Sequence, residues 1–343
     1  MTEYRRLPRT TLWLTVLFIL ASLFFVVRLI TTPKPVYSAQ VQLTRNGSGA
    51  PSPDHWDFSS FEVTYQFNTT VGSNIPSGSS AAVSAVQHAF ATWKSAPNAS
   101  VQVSQGANTP LSAPAFDGVN LVCFVCQADF AKDSSTLAVT LTTTADAVGQ
   151  DTKHNTTSRF AGQILDADII FNPAVQWVTN GRPGSNQEDL QTVATHEVGH
   201  FFGLDHSAVV RAVMFPFGGA TLTTLSYDDL AGLMQLYPKS SPDFATGKIS
   251  GTVTFANGGG VFGAHVFADS TTNSSPAVGG IRKSTIGALT APDGTYTIIG
   301  LPPDNYTVGV EPLDGPVTNT NLSDYAPAYN QSSVQTNFNT RWH

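Results

Sequence analysis

His196-Glu197-Val198-Gly199-His200 places two imidazoles four positions apart, with a carboxylate beside the first. On a helix, residues four apart share a face, one turn from each other, so both rings can reach a single metal ion. Glu197 then stands where it can take a proton from a water in the metal's open position. Gly203 permits the left-handed backbone that turns a chain after a helix, and that turn brings His206 back as a third ligand. Three protein ligands leave a fourth position open, which is the catalytic rather than the structural arrangement of zinc. Five fixed residues at this spacing would arise by chance in such a chain on the order of 10⁻⁵, so unrelated surface histidines do not explain them. The expectation is one catalytic Zn2+ on His196, His200 and His206, with Glu197 as the catalytic residue.

The cysteines are only Cys123 and Cys126. Such a pair reads as one local disulfide if the chain turns between them, since a straight strand would place them on opposite faces. A zinc half-site would need a second pair, and none exists.

The elements that must position these groups follow from periodicity. Residues 187–202 read as the helix that carries the first two histidines. Residues 80–95 read as another helix, with Val83, Val86, Phe90 and Trp93 at helical spacing. A third covers 226–237, with Ser226 as N-cap, Asp228 and Asp229 in the first turn and Pro238 as the stop. Alternation of Phe61, Val63, Tyr65 and Phe67 predicts a half-buried strand at 61–67, and further strands are expected at 119–125, 136–143 and 164–171. Residues 39–56, with Gly47, Gly49, Pro51 and Pro53, read as a linker. Beyond Ser240-Ser241-Pro242 only strand and turn signals remain, which predicts a small all-β sandwich over 246–312. The Asn-, Thr- and Ser-rich residues 313–343 read as a flexible tail. The fold class is therefore α+β, with a mixed domain at 57–239 followed by the sandwich.

Charged residues are 12% of the chain and the net charge is −7 without long runs. No basic stripe appears, so a nucleic-acid partner is not expected. Arg5, Arg6 and Arg9 precede an uncharged stretch from Thr10 to Val27, closed by Arg28. A basic flank before an apolar core is an export signature, and residues 1–38 read either as a cleaved signal peptide or as an N-terminal membrane anchor. Either places the rest outside the cytoplasm, secreted or in the cell envelope.

The stretch from His196 to His206 resembles the long zinc motif of the metzincins, and within that clan the matrixins. Ser207 follows the third histidine as in the matrixin signature, Met214 in Val213-Met214-Phe215-Pro216 resembles the Met-turn beneath the zinc, and Leu225 to Tyr237 resembles the family's C-terminal helix. The resemblance covers roughly residues 57–238. It implies a mixed twisted sheet with three main helices, a zinc endopeptidase activity on protein or peptide substrates, and a substrate lying extended along the strand at 164–171. That strand, Asp166 to Asn172, resembles the edge strand of bacterial matrixin-like peptidases. Three features depart from the family. No cysteine-bearing latency motif precedes the domain. Only His154 lies near where a structural zinc would need several histidines. The pocket wall reads Phe217-Gly218-Gly219 without the usual Tyr. Asp166 and Asp168 read either as solvated acids or, with carbonyls, as oxygen ligands for Ca2+. The segments Gly251-Thr252-Val253 and Asp293-Gly294-Thr295-Tyr296 resemble carboxypeptidase regulatory-like domains, β-sandwiches without catalysis, whose partner here is unknown. One rival reading is a non-catalytic surface protein that keeps the zinc site, and the presence of Glu197 speaks against it; another is an enzyme of narrow specificity that processes one surface protein, which the sequence does not separate from a general peptidase.

Overall fold

A computed structural model describes residues 41–45, 49–59, 62–126, 135–218, 221–272, 279–322 and 324–343. The segment 1–38, read as a signal or anchor, lies outside the described residues, as does Phe61 of the first predicted strand. Among the described residues no helix is long and apolar enough to cross a membrane.

The first half of the chain runs β1 (Leu43–Arg45), β2 (Pro51–Pro53), β3 (Val63–Asn68), α1 (Gly78–Lys94), β4 (Val103–Gln105), β5 (Asn120–Cys123), β6 (Ala138–Thr144), β7 (Gly149–Asp151), β8 (Thr156–Ser158) and β9 (Ile164–Phe171). Then follow β10 (Trp177–Val178), β11 (Glu188–Asp189), α2 (Leu190–Phe201) and α3 (Tyr227–Leu236). The remainder holds β12 (Gly247–Thr252), β13 (His265–Ser270), β14 (Ile286–Leu289), β15 (Thr295–Leu301), β16 (Tyr306–Glu311), α4 (Tyr325–Ala328) and β17 (Arg341–Trp342).

The central sheet has the order β4-β3-β5-β9-β6. Its strands are parallel except β6, which runs antiparallel to β9. The alternation that predicts β3 is realised, with Val63, Tyr65 and Phe67 all buried. The strand at 164–171 is not the edge. It is flanked by β5 and β6, and its run of Ala167, Ile169, Ile170 and Phe171 is fully buried, as expected of a strand covered on both faces. The edge on this side of the sheet is β6, one position outward from the strand expected at 164–171. A continuous apolar run points to an interior strand, whereas the threonine-rich run of β6 suits an edge.

Helices α1 and α2 pack on this sheet. Phe90 stacks on Tyr65 and meets Phe201 edge-on, and Trp93, wholly buried, donates its indole N–H to the carbonyl of Thr195 at 2.7 Å. Each such aromatic stabilises the domain by roughly 1.5–3 kcal/mol through burial.

Two expectations about the flanks are corrected. Residues 39–56 are not a free linker where they are described. β1 pairs with β2, Val41 bridges Leu204, the Gln42 amide donates to the Gly203 carbonyl at 2.8 Å, and Trp56 is buried. Val41, Leu43 and Trp56 supply apolar surface that the Gly and Pro signals concealed. Residues 313–343 are not an unpacked tail. Leu322, Tyr325, Ala326 and Tyr329 are buried, Tyr325 donates to the Thr290 carbonyl at 3.0 Å, and β17 pairs with β16. Tyr325 and Ala326 lie in α4, and Leu322 and Tyr329 lie to either side of it.

Residues 247–311, joined by β17 at Arg341–Trp342, form two antiparallel sheets, β12-β15 and β14-β13-β16-β17. Ile298 and Leu301 of the first share a core with Val266, Ala268, Ile286 and Ala288 of the second, continuous with the core beneath α3.

Candidate metal centre

Asp189 starts α2. Its backbone is extended, and its carboxylate accepts from the Thr192 amide at 2.9 Å, satisfying one of the N–H groups a helix start leaves unpaired. The helix then carries His196, Glu197 and His200. It ends at Phe201, whose carbonyl accepts the Trp56 indole N–H at 2.7 Å, while Tyr237 donates to the Phe202 carbonyl at 2.8 Å. Gly203 makes the turn with φ +89, and a Cβ there would lie 2.0 Å from the Asp54 carbonyl oxygen. Only glycine meets both conditions. The turn delivers His206 opposite the helix.

The three rings face one another, with centroids 4.8, 5.2 and 4.8 Å apart. Each Nδ1 lies 2.7 Å from a backbone carbonyl: His196 from Val213, His200 from Leu204, His206 from Asn321. A carbonyl only accepts, so each Nδ1 carries the proton and each neutral ring presents a bare Nε2. Burial keeps them neutral. It lowers His196 to about 4, aided by the His206 charge, holds His200 well below the usual imidazole value, and lowers His206. His196 Nε2 and His200 Nε2 are 3.1 Å apart, two acceptors with no proton between them. That arrangement suits a bound cation. Tetrahedral zinc with nitrogens at about 2.0–2.1 Å would set them about 3.3 Å apart, so the residues fit the ion. Among the described residues these three histidines are the one group of three or more His, Cys, Asp or Glu whose ligand atoms converge, all within 4.8 Å of one another.

Glu197 is 5% exposed. Burial raises it to about 7, partly offset by Thr140, whose hydroxyl lies 2.7 Å from Glu197 Oε2 and 3.0 Å from the Glu197 carbonyl. Thr140 belongs to β6, so the edge strand runs along the helix across a cleft of about 790 Å³, which Phe215, Phe217 and Asn321 also line.

The floor is built from the Met-turn and α3. A Cβ on Gly199 would sit 2.2 Å from Met214 Sδ and 2.9 Å from Trp93 Cζ2, so the helix carries glycine where Met214 presses against it. Ser207 donates its amide to the Met214 carbonyl at 2.8 Å. The Asp229 carboxylate accepts the amides of Val213, Met214 and Ser226 at 2.9, 3.1 and 2.7 Å, fastening the Met-turn to the start of α3. Asp228 accepts from the Ser207 hydroxyl at 2.5 Å and from the Gly287 amide of β14 at 2.8 Å. It thus links the residue after the third histidine to the C-terminal sheets.

The other candidates lie elsewhere. Cys123 and Cys126 are bonded to each other where the chain turns at the end of β5. His154 pairs with Asp151 at 2.6 Å in the β7–β8 hairpin and joins no ligand group. Asp166 and Asp168 are buried rather than solvated. Asp168 accepts the amides of Ala115 and Leu121, and Asp166 that of Gly118, so N–H donors occupy oxygens a calcium ion would use. Sequence reasoning missed Thr140, Gly199 and Asn321. Gly199 had a signal, because an interior helical glycine costs about 1 kcal/mol against alanine and calls for a packing reason.

Residues 139–238 match the Matrixin family. A metalloendoproteinase 5-MMP of Arabidopsis thaliana is 46% identical over 57 residues, 16% of this chain and 16% of its own length. Metalloendoproteinase 1 of Glycine max is 37% identical over 78 residues, 21% of this chain and 26% of its own. Human matrix metalloproteinase-25 is 37% identical over 81 residues, 22% of this chain and 14% of its own. The chain thus spans about a quarter or less of the length of these relatives, and the family match at 139–238 includes His196, His200 and His206.

Proposed function

We propose that the protein is an exported zinc endopeptidase that hydrolyses peptide bonds in protein substrates, with Glu197 as general base. The observation that carries this reading is the convergence of three neutral imidazoles, each with its Nδ1 engaged and its Nε2 bare, beside a buried carboxylate in an open cleft. The Matrixin match over the same residues supports it.

His196, His200 and His206 would hold one zinc, which supplies Lewis acidity that activates water at neutral pH and polarises a carbonyl. Glu197 accepts the proton of the attacking water and hands it to the departing amine. Thr140 orients the carboxylate through its hydrogen bond to Oε2. Met214 supports the floor and takes no chemical step. The substrate lies extended and pairs its backbone with the outer edge of β6, the edge strand that lines the cleft beside His196 and Glu197. Residues 1–38 direct the chain out of the cytoplasm, as signal or anchor. The sheets at 247–311 act as a non-catalytic sandwich resembling carboxypeptidase regulatory-like domains.

The test is cleavage of an unfolded protein by zinc-loaded chain, beside a chelated sample and Glu197→Gln. Cleavage by the unchelated wild type alone is the expected result. Zinc bound at one equivalent with no cleavage of any protein substrate contradicts the reading.

A further inference from the structure

Two of the three histidines are oriented by carbonyls of their own neighbourhood, Val213 and Leu204. The third is oriented from far along the chain. His206 Nδ1 lies 2.7 Å from the carbonyl oxygen of Asn321, in the segment between β16 and β17. We infer that residues 318–322 are a positioning element of the metal centre, holding His206 in the tautomer and ring orientation that zinc requires. This rests on the three histidines being metal ligands.

The carbonyl is held independently of the histidine it meets. Residues 319–321 form a single 3-10 turn. Asn321 Oδ1 accepts the Thr318 amide at 2.9 Å, and the Asn321 amide returns to the Thr318 carbonyl at 3.0 Å. Leu322 is wholly buried, and Asn319 Oδ1 accepts the Val334 amide at 3.2 Å. The turn therefore has its own anchors in the C-terminal region and presents a fixed acceptor to the cleft, whose wall Thr320 and Asn321 help to form. Without that acceptor the His206 proton is free to move to Nε2, and a ring protonated there cannot ligate. Partners of this kind on ligating histidines carry about 10–100-fold in metal affinity.

The test uses the full chain. Zinc affinity is measured by competition with a chromophoric chelator, and ligand geometry by the visible absorption of the cobalt-substituted protein. Asn321→Ala opens the box that shapes the turn, Asn321→Asp keeps its acceptor, and Leu322→Ala loosens the same turn from its buried side. The inference expects Asn321→Ala and Leu322→Ala to weaken zinc binding by about 10-fold or more and to alter the cobalt spectrum, with Asn321→Asp close to wild type. Amide exchange showing residues 318–322 loosened, with zinc affinity and cobalt spectrum unchanged, overturns it. Cleavage assayed in parallel separates the two readings. A wild type that holds zinc but cleaves nothing fails the peptidase reading alone, and unchanged affinity in an active enzyme fails this one alone.

Discussion

Residues 190–216 and residues 318–343 both reach the metal centre, and they reach it with different chemical groups. The first region contributes side chains: three imidazoles, one carboxylate and a thioether. The second contributes a backbone carbonyl, presented by a turn that its own buried residues hold in place. Side-chain chemistry restricts residue type and therefore leaves a mark in the sequence. A carbonyl is available at every position and leaves none.

Substitutions sharpen that contrast, beginning with the largest effect. In the first region a change of type is expected to remove the proposed activity. Glu197→Gln keeps the size of the side chain but removes the proposed base, and cleavage is expected to fall by at least about 10²–10⁴-fold in steady-state assays, with metal content unchanged. An active Glu197→Gln would place the base elsewhere.

Backbone geometry in the same region comes next. Gly203→Ala forces a Cβ to within 2.0 Å of the Asp54 carbonyl at φ +89. Strain and overpacking together cost about 2–5 kcal/mol, read as a lowered thermal midpoint of the metal-free protein. A midpoint equal to wild type would mean that the 41–56 segment does not sit against this turn.

Asp229→Asn tests the clamp between the Met-turn and α3. It puts an amide group among three N–H donors, and a destabilisation of about 1–3 kcal/mol is expected by denaturant titration. No change would remove Asp229 from the account of the floor.

A smaller effect concerns Asp166 and Asp168. Burial, with the neighbouring Asp168 charge second, raises Asp166 to about 7, and burial raises Asp168 to about 6. A raised folded pKa means the folded protein holds more protons than the unfolded chain between the ordinary carboxyl value and the raised one. Stability therefore falls as pH rises from about 4 to about 7. Asp166→Asn is expected to flatten that slope in metal-free protein, and an unchanged slope would contradict the burial of this carboxylate.

What the sequence showed follows the same division. The helix at 187–202, the third helix with its Ser226 cap, and the histidine set all rest on periodicity and residue type, and the structure has them at Leu190–Phe201 and Tyr227–Leu236 with the rings converging. Strand order was not legible, because pairing joins residues distant in the chain through identical backbone groups. That is why 164–171 looked like the edge and β6 did not. The packing of residues 41–56 and 313–343 was hidden because Gly, Pro, Asn and Ser dominate those segments. Their few apolar residues, Trp56 and Leu322 among them, decide the outcome by burial.

The most direct test of the central claim is X-ray absorption at the zinc edge of the loaded full chain. The account predicts one zinc with three imidazole nitrogens at about 2.0–2.1 Å and one lighter oxygen ligand, with one imidazole lost in His206→Ala. Sulfur in the first shell, or a spectrum that His206→Ala leaves unchanged, would contradict it.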